Sequence, residues 1–408
     1  IKDFKEVQEL KEGESGGIVL SQTSFYAESG GQIADKGNII GDSFSAQVEA
    51  VFKPIGSLFV HKVKVLKGSV IKEKIVKTSI DKERRLQIAR HHTSTHLLQK
   101  VLREILGEHI TQAGSLVSNE YLRFDFTHFA QIKKEDLIKI ERKINSAIRA
   151  NMPVHIQDMK IDEARAAGAM ALFGEKYGDI VRTVSVKDEV LGNNYSMELC
   201  GGIHVSRSGD IGLFKIVSES SIGAGVRRIE AVVGEAAEKF VLQEQERISK
   251  ISALLNSSNL DVLEKVQKQI SDIKELEADI ESLKSRLISQ DIDTYVKNAK
   301  DINGFQFLPL LVKDIDIKAL RDLSDKLKEK LGSAVLLIIS ESKEKSSFIV
   351  SVSQDYVNKG LNAGKIAKSF AADINGSGGG KPDFAQGGTK ETAQIISALA
   401  DAHKHVKI

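Results

Sequence analysis

The sequence predicts an α+β multidomain protein, and three observations predict it. Short apolar runs broken by Gly-rich turns fill residues 1–80, a helical apolar period begins at Asp81, and the texture changes again after Gly234. Four segments follow: a small N-terminal β-barrel at 1–80, an α+β core at 81–233, a helical hairpin linker at 234–300 and a C-terminal α/β domain at 301–408. A chain of 408 residues, 41% hydrophobic, is long enough for two to four domains.

In the first segment Gly17-Ile18-Val19-Leu20 and Ser57-Leu58-Phe59-Val60 read as strands, with turns at Gly30-Gly31 and Gly37. Asp81 can cap a helix running to about Gly107, with Ile88, Leu98, Val101, Leu102 and Ile105 as its apolar face. Tyr121–Phe126 reads as a strand, Glu135–Ala150 as a helix that stops before Pro153, and Asp162–Ala171 as a further helix. Residues 180–233 read as strands joined by Gly-rich turns.

Phe240, Ile248, Ile251 and Leu255 then repeat at helical spacing until Asn256-Ser257-Ser258-Asn259 interrupts. A second helix carries Val266, Ile273, Leu276, Ile280, Leu283 and Leu287. Two helices around a polar turn predict an antiparallel hairpin. Its apolar row reads first as core and more sharply as a dimer seam. The last segment alternates helices with β-rich runs at 307–312, 334–339 and 348–352, and ends in a Gly-rich loop and a helix from Lys390 to about His403.

Bulk properties narrow the function. No run approaches the ~18 apolar residues of a membrane-spanning helix, so no membrane partner is expected. The N-terminus shows no signal peptide and no initiator Met, so the chain is expected to be processed or cut from something longer. Cys200 is the single cysteine, which excludes a disulfide framework and points to a reducing cytoplasm. A net charge of +2 leaves any RNA binding to local basic patches.

The chemistry is carried by two short motifs. His92 and His96 are four apart on the expected helix, so both imidazoles share a face and can reach one ion. With ten histidines in the chain, such a pair is weak by itself. The second motif, Cys200-Gly201-Gly202-Ile203-His204, strengthens it: the glycines allow a tight loop that turns thiolate and imidazole to one point. Three His and one Cys satisfy the tetrahedral N/S preference of zinc, Zn2+. His91 is out of phase with His96 and is expected on the exposed side. The spacing leaves the role of the metal open. Four protein ligands close the shell, as in structural sites, whereas catalytic sites keep a water position. Thr93, Ser94 and Thr95 lie between the histidines, so the Glu of a His-Glu-x-x-His peptidase is missing. Either one ligand is loose or the metal mainly positions the substrate.

Arg90–Leu98, Gln112–Val117, Leu122–Phe126, Leu172–Asp179, Ser196–Val205, Gly212–Ile216 and Gly225–Ala231 together resemble the editing domain of alanyl-tRNA synthetases. Ser24–Gln32 looks like the barrel before that domain, and Gly378–Gly388 like the family's C-terminal domain. The departures are Ile203, where the family often has Thr, and Ser94, where it often has Ala; neither removes a ligand. Nothing resembling the adenylate-forming domain precedes residue 1, so the chain is not expected to charge tRNA by itself.

The resemblance implies an aminoacyl-tRNA deacylase that hydrolyses seryl-tRNA(Ala) and glycyl-tRNA(Ala). Zinc on His92, His96, Cys200 and His204 would fix the terminal adenosine or the aminoacyl group, or polarise a water. Thr95 would recognise the serine hydroxyl, with simple helix packing as its alternative, and Gln112 would bind substrate or water. Asp125 and Arg123 would hold their strand in place. Arg227, Arg228, Lys365, Lys368 and Lys381 can meet phosphates, solvated surface being the alternative for each. The loop at 376–388 is not a P-loop, because Asn375 and Pro382 stand where Gly and Ser or Thr are needed. By resemblance, 301–408 recognises the outer corner of tRNA, and it or the helical linker forms a homodimer. Other readings are a free-standing trans-editing enzyme of the same superfamily and a non-catalytic tRNA-binding module with a structural zinc. A nucleotide phosphoesterase is disfavoured because no Asp-His-His motif is present.

Overall fold

The computed structural model describes residues 1–2, 5–170, 178–342 and 345–407, without the side chains of residues 285 and 288–290. The Leu172–Tyr177 part of one quoted motif lies outside the described residues. The chain forms two compact units, Ile1–Ile251 and Ser252–Ile408.

The first unit opens with β1 (Glu9–Lys11), β2 (Ser15–Val19), β3 (Gly37–Ile40), β4 (Ser45–Ile55), β5 (Leu58–Lys67), β6 (Ser69–Ile71) and β7 (Lys77–Ile80). β1 pairs with β6, and the other five form an antiparallel sheet in the order β2-β5-β4-β3-β7. The expected barrel is not closed. Register shifts between β4 and β5 coil the sheet, yet its edges β2 and β7 are only five and four residues long. The free edge of β2 is taken instead by Ile1, which exchanges backbone hydrogen bonds with Gly17 at 2.7 Å. Alternation puts Ile39, Ala46, Val48 and Val63 fully inside.

Next comes α1 (Lys82–Leu106). It starts where the cap predicts: the Asp81 carboxylate accepts from the Arg84 N–H at 3.0 Å. It ends at Gly107, whose φ of +114° suits no other residue well. Then follow β8 (Gln112–Val117), β9 (Leu122–Thr127), α2 (Lys134–Arg149), β10 (Val154–Lys160), α3 (Ile161–Ala166), β11 (Ile180–Asp188), β12 (Asn193–Leu199), β13 (Phe214–Gly223) and β14 (Val226–Val233). A four-stranded sheet, β13-β14-β9-β8, packs against α1 and α2 through Leu97, Leu98, Phe124, Phe126, Ile140 and Phe214. β10, β11 and β12 form a second, three-stranded sheet. The helix expected over 162–171 is shorter, because the chain turns at Gly168 with φ +83°.

α4 (Glu235–Leu254) and α5 (Val262–Gln290) flank the expected polar turn, and α6 (Ile292–Val296) follows. The apolar row of α5 is not core. Ile273, Leu276, Ile280, Leu283 and Leu287 are each more than half exposed, because α5 has few neighbours along most of its length in its own unit.

The second unit continues with β15 (Lys300–Ile302), β16 (Phe305–Lys313), α7 (Ile317–Leu331), β17 (Val335–Glu341), β18 (Ser346–Val352), α8 (Gln354–Asn358), α9 (Ala363–Asp373), β19 (Ser377–Gly380), β20 (Phe384–Thr389) and α10 (Ile395–Ala400). The sheet runs β15-β16-β17-β18-β20-β19, with β16 and β17 parallel across the α7 crossover. The expected Gly-rich loop is in fact the β19–β20 hairpin. Its glycines make room for a ring: a Cβ at Gly378 or Gly387 would fall 2.8 or 2.3 Å from Phe348 Cζ. The last helix starts later than Lys390, since the Thr389 hydroxyl accepts from the Glu391 N–H and holds the strand end. No helix among the described residues is long and apolar enough to cross a membrane.

His61 offers a check on the N-terminal sheet. Its Nδ1–H donates to the Ile18 carbonyl at 2.9 Å, and its Nε2 accepts from the Thr23 hydroxyl at 2.8 Å. Burial pushes its pKa below the ordinary 6.5, against the carbonyl's opposite pull. The neutral form is therefore the stabilising one, and its contribution is present above that value and lost as pH falls through it. Opening of the β2–β5 amides, read from exchange after correction for its intrinsic slowing in acid, should accelerate as pH falls below 6.5. A His61→Gln chain should show less of this acceleration; an equal response in both would refute the assignment.

Candidate metal centre

α1 delivers two of the four donors and the loop after β12 delivers the others. The donor atoms of His92, His96, Cys200 and His204 all lie within 4.8 Å of one another, and this group can hold a metal ion. Cys200 Sγ is 3.4 Å from His92 Nε2 and 3.3 Å from His204 Nε2. A tetrahedral shell with the usual Zn–S and Zn–N bond lengths has N···S edges of about 3.5 Å, so these separations match the edges of a ligand shell.

The outer nitrogens confirm the fit. His92 Nδ1–H donates to Gln32 Oε1 at 2.6 Å, and His96 Nδ1 faces Glu198 Oε2 at 2.7 Å. His204 Nδ1 meets Thr93 Oγ1 at 3.2 Å. Each ring is thus held through Nδ1 and turns Nε2 inward, the tautomer arrangement of metal-bound histidines. Burial alone would keep the Cys200 thiol protonated, but the imidazoles of His92 and His96 drive its pKa far down. For His96, burial lowers the pKa, and the charges of Glu198 and Cys200 outweigh it and raise it to about 10. Burial and the neighbouring His92 push His204 down to about 3.

Gln32 deserves its own place in this site. It is fully buried, and its Oε1 accepts from both His92 Nδ1–H and the Ile203 N–H, the latter at 2.9 Å. It therefore ties the ligand helix to the ligand loop, reaching 60 residues along the chain to His92 and 171 to Ile203. The loop carrying Gln32 reaches α1 because Gly31 lies flat on β8, where a Cβ would fall 2.5 Å from Ser115 Oγ. Gly202 is needed for similar reasons: a Cβ there would sit 2.0 Å from His92 Cε1 and 2.8 Å from Gln32 Oε1. Arg182 fixes the loop from behind, donating to the carbonyls of Cys200 and Gly202 at 2.6 and 2.9 Å.

A cavity of about 290 Å³ opens beside the cluster, bounded by the loop before Gln32, α1, β8, β11 and the Cys200 loop. Thr95 and Gln112 both line it. Thr95 Oγ1 donates back to the His91 carbonyl at 2.9 Å, which leaves its lone pairs to accept from a ligand. Gln112 sits at a bulge in the β8–β9 pairing, and its Nε2 is buried without a partner. His91 is not exposed. It is fully buried, with Nδ1–H on the Gln87 carbonyl and Nε2 accepting from the Val233 N–H. The helical phase places it toward β14, where the apolar side of α1 packs, and burial depresses its pKa to about 4.

The basic residues divide. Arg227 and Arg228 are committed within the fold, to Glu219 and to Asp125 respectively. Lys365, Lys368 and Lys381 are exposed. α9 packs on β19 so closely that a Cβ at Gly364, next to Lys365, would fall 2.6 Å from the carbonyl of Gly380, next to Lys381. Sequence reasoning did not single out Gln32, Thr93, Arg182 or Glu198. Gln32 and Glu198 lay inside quoted motifs, and Glu198 is two residues before Cys200; nothing local marked Arg182.

Residues 181–230 match the second additional domain of threonyl and alanyl tRNA synthetases, 1–84 match class II (A) tRNA synthetases, and 304–407 match the DHHA1 domain. Two of the four donors, Cys200 and His204, lie inside the first of these matches. The alanine–tRNA ligase of Endomicrobium trichonymphae is 61% identical over 406 residues, covering 100% of this chain and 46% of that protein. That of Geobacillus kaustophilus is 44% identical over 407 residues, covering 100% and 45%. The C-Ala domain of Aquifex aeolicus alanyl-tRNA synthetase aligns with 26% of this chain and 96% of its own, at 25% identity and a TM-score of 0.25. The chain belongs to the alanyl-tRNA synthetase family, matching a C-terminal portion of it, and spans less than half the length of these relatives.

Metal loading tests the cluster directly. Added Co2+ should give one thiolate charge-transfer band per chain, absent in Cys200→Ala. Gln32→Ala should weaken the metal by about 10- to 100-fold while the protein stays folded. Unchanged affinity in Gln32→Ala would remove Gln32 from the site.

Proposed function

We propose that this chain hydrolyses the ester of wrongly charged tRNA(Ala), releasing serine and glycine and sparing alanine. The observation that carries this reading is the joining of a four-donor cluster to a cavity lined by Thr95 and Gln112. The need for such a site is physical: a pocket for alanine cannot reject a slightly different side chain by much more than ~100-fold through binding, so a second hydrolytic step is required.

The metal in this reading is zinc, which suits three imidazoles and a thiolate; with one of the four ligands displaced it would supply a Lewis acid for an ester or water oxygen, and with all four bound it would serve to position the substrate. The protein's own groups do the sorting. Thr95 Oγ1, already spent as a donor, accepts from the serine hydroxyl, a bond that sorts serine from alanine and plays no part in the release of glycine. Gln112 Nε2 donates to the ester or to the attacking water. Gln32 and Glu198 hold His92 and His96 in register.

In the same reading residues 81–233 are the hydrolytic core, with 1–80 as its buttress, 234–300 as a linker and 301–408 as a tRNA-binding domain. Lys365, Lys368 and Lys381 face phosphates there, and the exposed apolar row of α5 or the terminal domain meets a second copy. Arg227 and Arg228 are poorer candidates, since their charges are already paired. The cytoplasm is the compartment where such a substrate occurs.

The reading is tested with Ser-tRNA(Ala) and Ala-tRNA(Ala). The chain should release serine roughly 10- to 100-fold faster than alanine, Cys200→Ala should abolish release, and Thr95→Val should shrink the preference. A purely structural zinc predicts unfolding of Cys200→Ala and no release by the unaltered chain; that result would end the proposal.

A further inference from the structure

Three side chains each carry a buried polar atom without a partner: Gln99 Oε1, Gln112 Nε2 and Glu198 Oε1. All three residues line the same space. Gln99 and Glu198 are only 2% and 1% exposed, so solvent does not satisfy them. They come from three elements, α1, β8 and β12, and this convergence is not a product of one turn's local geometry. Gln99 lies one turn beyond Thr95 on α1, on the same face. Glu198 uses its other oxygen on His96 Nδ1 at 2.7 Å, which fixes the orientation of the free one.

The chemistry of the set selects its ligand. Two acceptors, one from a carboxylate, stand with one donor. Buried acceptors left open in a built cavity call for a donor-rich group, and the carboxylate favours a cation. We propose that Glu198 Oε1 and Gln99 Oε1 receive the free α-ammonium of the esterified amino acid; this rests on the editing reading above. An ammonium offers three donors and no acceptor, which matches these two oxygens. Gln112 Nε2 remains for the ester or side-chain oxygen. The site therefore takes aminoacyl esters with a free amine and refuses N-acylated ones, which have lost the charge and two of the three donors. Chains already begun or blocked at nitrogen are outside its substrate class.

The experiment compares seryl-tRNA(Ala) with chemically prepared N-acetylseryl-tRNA(Ala), using the metal-loaded chain. Cleavage of the free-amine ester should be at least about 100-fold faster, the scale expected when a built polar site loses its partner. A second measurement avoids turnover: binding of the non-hydrolysable 3′-seryl-amide of adenosine and of its N-acetyl form. Gln99→Met, which keeps the side-chain length and removes the acceptor, should weaken the free-amine analogue by about 10-fold. It should leave the N-acetyl analogue and the bound metal unchanged. Equal cleavage of both esters would leave editing standing and overturn amine recognition, as would equal weakening of both analogues. Cleavage of neither ester by the unaltered chain would bring down the editing reading and this one with it.

Discussion

Three imidazole nitrogens and a thiolate aimed at one point form the constraint on which the first unit depends. Such a concentration of lone pairs in a site with little water is unfavourable unless a cation or protons occupy its centre. Much of the surrounding architecture serves to hold that arrangement. The Nδ1 side of each ring is bonded outward, to an amide oxygen, a carboxylate and a hydroxyl. The loop bearing the thiolate is anchored from behind by a guanidinium on two carbonyls. Remove these bonds and the rings are free to rotate their donors away.

The N-terminal sheet is bound into this arrangement. Its loop lies against β8, with backbone bonds between Gly31 and Val117 and between Ile33 and Val117. That contact carries Gln32 onto His92. An element that reads from sequence as a separate barrel thereby supplies an atom to the centre of the neighbouring core. The glycines at 31 and 202 are the positions where this approach leaves no room for a side chain.

Much of the site was legible in the sequence, and for clear reasons. Asp81 and Gly107 mark the ends of α1 because capping and left-handed backbone are local requirements. His92 and His96 share a face because helical spacing makes them. Cys200 and His204 stand out because one is the chain's single cysteine and two glycines separate them. What was not legible depends on tertiary contact. Gln32 acquires its role only across 60 residues to His92 and 171 to Ile203, and Arg182 acts through carbonyls that no motif announces. His91 was misread because solvent exposure was inferred from phase relative to His96, whereas α1 is buried on more than one side. The barrel failed to close and the α5 row proved exposed for the same reason: strand and helix periodicity show that a face is apolar, not what covers it. The Gly-rich tail misled in the other direction, since its glycines accommodate the Phe348 ring within a hairpin.

The spread of the ligands along the chain also sets an order of events during synthesis. Gln32, His92 and His96 leave the ribosome first, and the thiolate and third imidazole follow only after about a hundred more residues. At ordinary translation speed the interval lasts roughly 5–20 s. Throughout it the nascent polypeptide displays half of a chelate, able to hold an ion weakly and exchange it. Capture would become firm only when the glycine loop arrives, while β13 and β14 of the same core are still to be made.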